Sequence, residues 1–251
     1  MLAAARSCRH GYIHLVCVIT VLQPDPEVPL GRFANWLAEA GAQVDLVRLW
    51  TDPLPHPADG LLVLGGRMNC RADAEHPWLP AVRELLRDAV AVGTPILGIC
   101  LGHQILADAL EGEVVVNHSG GREEGPQELR WTAAAPADPM LGPLAAQGSC
   151  LVPMSHRDVV TTLPPGAVEL ATTSHYPHQV FRLGSAVGVQ FHPEASPDQV
   201  ARWAELNGGD AAEDRAALAA VDDQVAAAAR QIATGFAEVV RGISPGEADN
   251  T

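Results

Sequence analysis

The chain has 251 residues, with 30 acidic and 16 basic side chains, every basic one arginine, for a formal charge of −14. The absence of lysine excludes a Walker-A phosphate loop, a protein kinase and a pyridoxal-phosphate enzyme in their usual forms. The acidic balance argues against a nucleic-acid surface, which needs clustered positive charge.

Residues 1–12 read as an N-terminal tail. The apolar run from Ile13 to Leu22 has signal-peptide character only superficially. It is rich in β-branched residues, contains His14 and lacks a small-x-small cleavage site, so Ile13–Val21 is read as a first, buried strand. Leu30–Ala40 has helical spacing and ends at Gly41, and Gln43–Leu49 and Gly60–Leu64 follow as strands. A helix is expected over Leu79–Val92, a fourth strand over Pro95–Ile99 and a helix from Leu101 to about Leu110. Strands alternating with helices, and apolar throughout, predict an α/β fold with a mostly parallel sheet covered on both faces. From Val114 to His192 short apolar segments broken by Gly, Pro and Asn predict added antiparallel strands, near Val159, Val168–Ala171, Gln179–Phe181 and Val187–Phe191. A helix starts near Pro197 with Ser196 as N-cap. A last helix is expected over about 213–241, with Leu218, Val221, Val225, Ile232, Phe236 and Val239 on one stripe. One domain is thus expected over 13–242, with a C-terminal tail at 243–251. No segment is long and apolar enough to span a membrane. Five cysteines at irregular spacings make a poor disulfide framework and point to a reducing, cytoplasmic compartment.

Gly98-Ile99-Cys100-Leu101-Gly102 lies between an apolar strand and a helix. It has the form of a nucleophile elbow, in which a tight strand-to-helix turn projects a reactive side chain. The helix start adds positive potential, which favours a thiolate. By itself, a cysteine at a strand end also fits a buried structural role. Far downstream, Gln190-Phe191-His192-Pro193-Glu194 follows an apolar segment. If extended, it points His192 and Glu194 to the same side, giving a histidine oriented by a carboxylate, the base that activates a thiol. Alone, this too fits a solvated His–Glu pair. His10 with His14, and His175 with His178, have metal-like spacing but no accompanying ligand set, so no metal site is assigned. Glu123-Glu124 and Asp222-Asp223 are read as solvated faces. Arg67, which follows the glycine turn, fits either a contact to a substrate carboxylate or a surface arginine, and Cys70 lies near the expected site without an assigned role.

Together, the GICLGHQ segment Gly98–Gln104 and the VGVQFHPE segment Val187–Glu194 resemble the class I glutamine amidotransferase domain, of the GMP-synthase-like kind. Gly65-Gly66, Met154–Asp158 and Pro177–Phe181 are similar to family segments as well. The resemblance covers roughly residues 13–240. It implies a flavodoxin-like fold and a Cys100-His192-Glu194 triad that needs no cofactor. Cys100 attacks the glutamine side-chain amide. Gly66 and Leu101 form the oxyanion hole, and Gly65, Gln104, Ser155 and His156 hold the substrate, L-glutamine or another γ-glutamyl compound. Ammonia released through a γ-glutamyl thioester then passes to a separate synthase partner. The alternative is a stand-alone γ-glutamyl hydrolase or peptidase on the same scaffold. A regulatory module without activity, and a cysteine peptidase or chaperone of a related flavodoxin-like family, rank below both.

Overall fold

A computed structural model describes residues 17–242. The tails, the start of the expected first strand at 13–16, and His10 and His14 lie outside this range. Strands β1 (Cys17–Gln23), β2 (Ala42–Arg48), β3 (Gly60–Val63) and β4 (Ile96–Ile99) alternate with helices α1 (Phe33–Glu39) and α2 (Leu79–Ala91). Helix α3 (Leu101–Ala109) leads to β5 (Glu113–Val115), β6 (Glu123–Trp131), a short helix α4 (Gly142–Ala145), β7 (Cys150–His156), β8 (Val159–Thr162), β9 (Val168–Thr172), β10 (Val180–Leu183) and β11 (Ala186–Val189). Three helices close the chain: α5 (Pro197–Asn207), α6 (Ala211–Ala219) and α7 (Asp222–Val240).

The main sheet has nine strands in the order β2-β1-β3-β4-β11-β10-β9-β6-β7. The first five are parallel and the remainder are added antiparallel. The expected α/β architecture is therefore the observed one. Its short central strands are apolar at every position because both faces are covered. In β3, Leu61 and Val63 face the core under α2 and α3, while Leu62, and Leu64 just after the strand, face the core under α1 and α7. With so few aromatics, the volume is filled by aliphatic side chains around four fully buried phenylalanines, Phe33, Phe181, Phe191 and Phe236.

The antiparallel half contains more order than its broken pattern suggests. Strands β6 and β7 pair over seven registered positions, Glu123↔His156 to Leu129↔Cys150. The sequence reading missed both, because β6 carries Gly125 and Pro126 and little apolar alternation. Ser196 caps α5 as expected, accepting a bond from Gln199 N at 3.2 Å.

The expected single helix over 213–241 is two helices, broken at Ala220–Val221. The break divides the apolar stripe. Leu218, Val221 and Val225 join a satellite cluster with Val28, Val200 and Trp203, whereas Ile232 and Phe236 enter the main core. One straight helix could not reach both. Asp222 is not simply solvated either. Its carboxylate takes a two-pronged bond from Arg32 at 2.9 and 2.7 Å, at the helix end where negative charge is favoured.

Candidate active site

The site forms where the central parallel strands end, the usual ligand position in such sheets. Ile99 at the end of β4 pairs with Val189 at the end of β11, and Cys100 N donates to Val189 O at 2.9 Å. This register places the turn carrying His192 beside the turn carrying Cys100. Cys100 has φ 50° and ψ −103°, directly before the first residue of α3. A side chain in that region is strained, and strain of this kind needs a surrounding structure that enforces it. Two glycines allow the turn. A Cβ on Gly98 would sit 2.6 Å from Gly102 O, and one on Gly102 would sit 2.2 Å from Val63 O.

His192 is buried, and its Nδ1 lies 2.7 Å from Glu194 Oε1, itself buried. The sequence reading brought the two together by strand alternation. The strand in fact stops at Val189, and a turn closed by Ala195 N donating to His192 O makes the pairing. His192 N donates to Pro153 O at 2.9 Å, and Arg32 N donates to Glu194 O at 3.0 Å, so both backbone ends are fixed. The indole of Trp203 lies against the imidazole at 4.4 Å between ring centroids.

Burial opposes charge on His192, but the neighbouring Cys100 and Glu194 outweigh it and push the imidazole up to about 10. The folded chain therefore binds this proton more tightly than the unfolded one. The resulting stability is complete below the ordinary histidine value of 6.5 and is lost as the pH rises through about 10. The ring is expected to stay doubly protonated at pH 8 in 15N NMR spectra. Its midpoint should fall in both Cys100→Ala and Glu194→Gln, since each removes a neighbour that favours the charged ring. A wild-type midpoint at the ordinary histidine value would contradict this account.

Gly65 and Gly66 follow β3. A Cβ on Gly65 would lie 2.7 Å from His192 Cε1, and one on Gly66 would lie 2.8 Å from Leu101 Cδ2. The backbone here can approach a substrate only because both residues are glycine. The same turn is held by Asp25, which the sequence reading did not single out. Its nearly fully buried carboxylate accepts from Arg67 N at 3.1 Å, Nε at 2.7 Å and Nη2 at 3.0 Å. Burial raises the Asp25 pKa, but these bonds prevail and hold it below the ordinary aspartate value. Arg67 is thus committed to the protein. Cys70 is fully buried, and burial pushes its thiol up to about 12, which leaves it inert.

Cys100, His192 and Gly66 open into a cleft of about 210 Å³, with Gln104, Ser155, His156, Arg157 and Asp158 on its walls. Gln104 is buried, and its Nε2 donates to Asp158 O at 3.0 Å and to Gln190 Oε1 at 3.2 Å. His156 is turned away from solvent, with Nε2 3.0 Å from Glu123 Oε2 and Nδ1 3.2 Å from Asp158 O. Glu123, expected on a solvated face, is buried, because β6 runs beside β7 and carries it inward. Its carboxylate also accepts from Thr173 Oγ1, and from Gln179 Nε2 at 2.7 Å. Glu124, next in the chain, is exposed and paired with Arg122. His175 and His178 go to different partners, Gly120 O and Glu169.

Burial raises the Glu123 pKa, but the bonds from His156, Thr173 and Gln179 prevail and hold it below the ordinary value. Its stabilisation is present above the ordinary glutamate pKa of about 4.3 and is lost as the pH falls through the lowered value. Glu123→Gln is expected to cost about 1–3 kcal/mol at pH 7, because an amide nitrogen must then face a donor. Urea unfolding should register this difference, and the gap should narrow toward acid pH.

Residues 32–202 match the family described as glutamine amidotransferase class-I. The chain belongs to the class I glutamine amidotransferases. The match includes the Cys100 elbow and the His192–Glu194 turn, and glutamine amidotransferase activity is the character of the family. The chain is 32% identical over 160 residues to one subunit of a glutamine-hydrolysing GMP synthase from Halobacterium salinarum, covering 62% of this chain and 77% of that one. It is also 32% identical over 161 residues to a GMP synthase from Mycobacterium tuberculosis, covering 59% of this chain but only 27% of that longer protein. Among solved structures, a glutamine amidotransferase from Thermotoga maritima superposes with a TM-score of 0.79 at 22% identity, over 90% of this chain and all of that one. One from Methylobacillus flagellatus gives 0.77 at 26% identity, over 92% of this chain and 96% of that one. These likenesses agree with the doubly covered, mostly parallel sheet. No helix among the described residues is long and apolar enough to cross a membrane.

Proposed function

We propose that the chain hydrolyses the side-chain amide of glutamine through Cys100 and delivers the ammonia to a separate synthase partner. The observation that carries this reading is the strained Cys100 turn beside the buried His192–Glu194 pair, at one end of the sheet and facing one cleft. In this scheme the Cys100 thiolate attacks the amide carbon. The carbonyl oxygen becomes an oxyanion, received by the backbone N–H groups of Leu101 and Gly66. Neither group donates to a backbone acceptor outside the regular helices and strands. His192 gives its proton to the departing ammonia, leaving a γ-glutamyl thioester. It then takes a proton from water, which attacks the thioester, releases glutamate and returns the thiolate. Glu194 keeps the ring oriented and favours its charged form. Gly65 allows close approach of the substrate, while Gln104, Ser155 and His156 shape and line the space for its amino-acid end.

A separate partner is favoured by the name of the Halobacterium relative, one subunit of a GMP synthase. By that analogy the acceptor would be a nucleotide. The deciding experiment is ammonia release from L-glutamine by the purified chain, alone and with such a synthase, with γ-glutamyl peptides as comparators. Glutamine turnover raised by the synthase is the expected result. Faster cleavage of γ-glutamyl peptides, indifferent to any synthase, would replace this reading with that of a stand-alone hydrolase.

A further inference from the structure

The geometry points to Arg157 as the residue that binds the α-carboxylate of the γ-glutamyl substrate. This rests on the γ-glutamyl reading of the cleft, and it holds whether glutamine or a γ-glutamyl peptide enters, since both carry that carboxylate. Three arginines line the cleft: Arg67, Arg122 and Arg157. Two already have carboxylate partners. Arg67 is locked on Asp25, and Arg122 Nε is 2.6 Å from Glu124 Oε1. Arg157 is exposed and forms no ion pair or side-chain hydrogen bond among the described residues. In a chain with an excess of acidic groups, most arginines in the described range are ion-paired. Arg87 and Arg241 are the other exceptions, and neither lines this cleft.

The turn that presents Arg157 is also fixed in advance. His118 N donates to Arg157 O at 3.2 Å. Asp158 O receives Gln104 Nε2 at 3.0 Å and lies 3.2 Å from His156 Nδ1, and the His156 ring is anchored on buried Glu123. The neighbouring Asp158 carboxylate accepts from Asn117 N at 2.8 Å and lies beyond ion-pair distance of the Arg157 guanidinium. An unpaired guanidinium on a rigid turn, in the cleft that holds Cys100 and His192, suits two-pronged recognition of a carboxylate.

The test uses alkylation of Cys100, so that it does not depend on turnover. The probe is a glutamine analogue with a chloromethyl ketone in place of the side-chain amide, whose chloride the Cys100 sulfur displaces. It is compared with the same molecule bearing an α-carboxamide, and with iodoacetamide. Wild-type protein should react with the free acid about tenfold faster or more than with the α-carboxamide, the range of a charge-assisted hydrogen bond. Arg157→Gln should abolish that preference and leave the iodoacetamide rate unchanged. Arg157→Lys should recover part of it, keeping the charge without the fork. The assignment is overturned if the wild type shows no preference, or if Arg157→Gln retains it. Failure of the glutaminase reading looks different: the preference would remain while no ammonia is released from glutamine.

Discussion

Cys100→Ala should bring ammonia release from L-glutamine down to the uncatalysed background, a loss of at least ~10³-fold of the kind seen when a covalent nucleophile is removed. No other described thiol can substitute: Cys17 is buried, and burial raises its thiol above the ordinary value. Cys70 is sealed in the core with its thiol pushed up to about 12, and burial pushes Cys150 up to about 12 as well. Glu194→Gln should behave differently and retain partial activity. His192 would keep its place through Pro153 O and the Trp203 ring but lose the carboxylate that orients it and favours its charge. An initial-rate assay over the three proteins checks the order, and wild-type rates from Cys100→Ala would remove the mechanism. The same position carries a stability signature. Ala keeps the Cβ and with it the strain at φ 50° and ψ −103°. Gly adopts that conformation freely. Elsewhere in an ordered element Gly is worse than Ala by about 0.5–1 kcal/mol. At residue 100, Cys100→Gly should melt no lower than Cys100→Ala.

Gly102→Ala should be among the most damaging single added methyl groups in the described residues, costing about 3 kcal/mol or more, at the upper end of overpacking effects. The new Cβ would lie 2.2 Å from Val63 O and 2.9 Å from Val63 C. Both are backbone atoms of a central strand that pairs with β1 on one side and β4 on the other, so neither can step aside cheaply. Moving α3 away instead would displace Cys100 and Leu101, and with them the proposed nucleophile and half of the proposed oxyanion hole. Chemical denaturation measures the stability loss. Glutaminase assays below the transition should show activity falling before the global fold does. By contrast, a Cβ at Gly93 would meet nothing within 4 Å, although its φ of 79° would strain it. Gly93→Ala therefore serves as a control for backbone strain without collision.

The parallel half of the fold was legible because each strand is buried on both faces. Gly60–Val63 and Ile96–Ile99 are therefore continuous apolar runs that stand out in the sequence. The antiparallel half was less so. Glu123–Trp131 buries only some of its side chains and contains Pro126, so its strand character comes from pairing with Cys150–His156 rather than from its own pattern. The long C-terminal stripe had the right periodicity over Leu218–Val239. Periodicity gives the face a residue occupies but not whether the axis bends, and the bend at Ala220–Val221 follows from two separate clusters that need filling.

The Cys100 elbow and the parallel half of the sheet follow from the sequence alone. Each is encoded locally, in glycines that only a tight turn requires and in apolar runs that only a doubly covered sheet requires. Folding alone closes the His192–Glu194 turn and selects the polar residues that support the site. Asp25 on the Gly65–Arg67 turn, Glu123 under His156, and Arg157 left without a carboxylate are consequences of which strands become neighbours. A charge reads the same in a sequence whether it is solvated, paired or waiting for a ligand. Its role depends on burial and partners 33 residues away at Glu123–His156 and 42 away at Asp25–Arg67, and only folding fixes those distances.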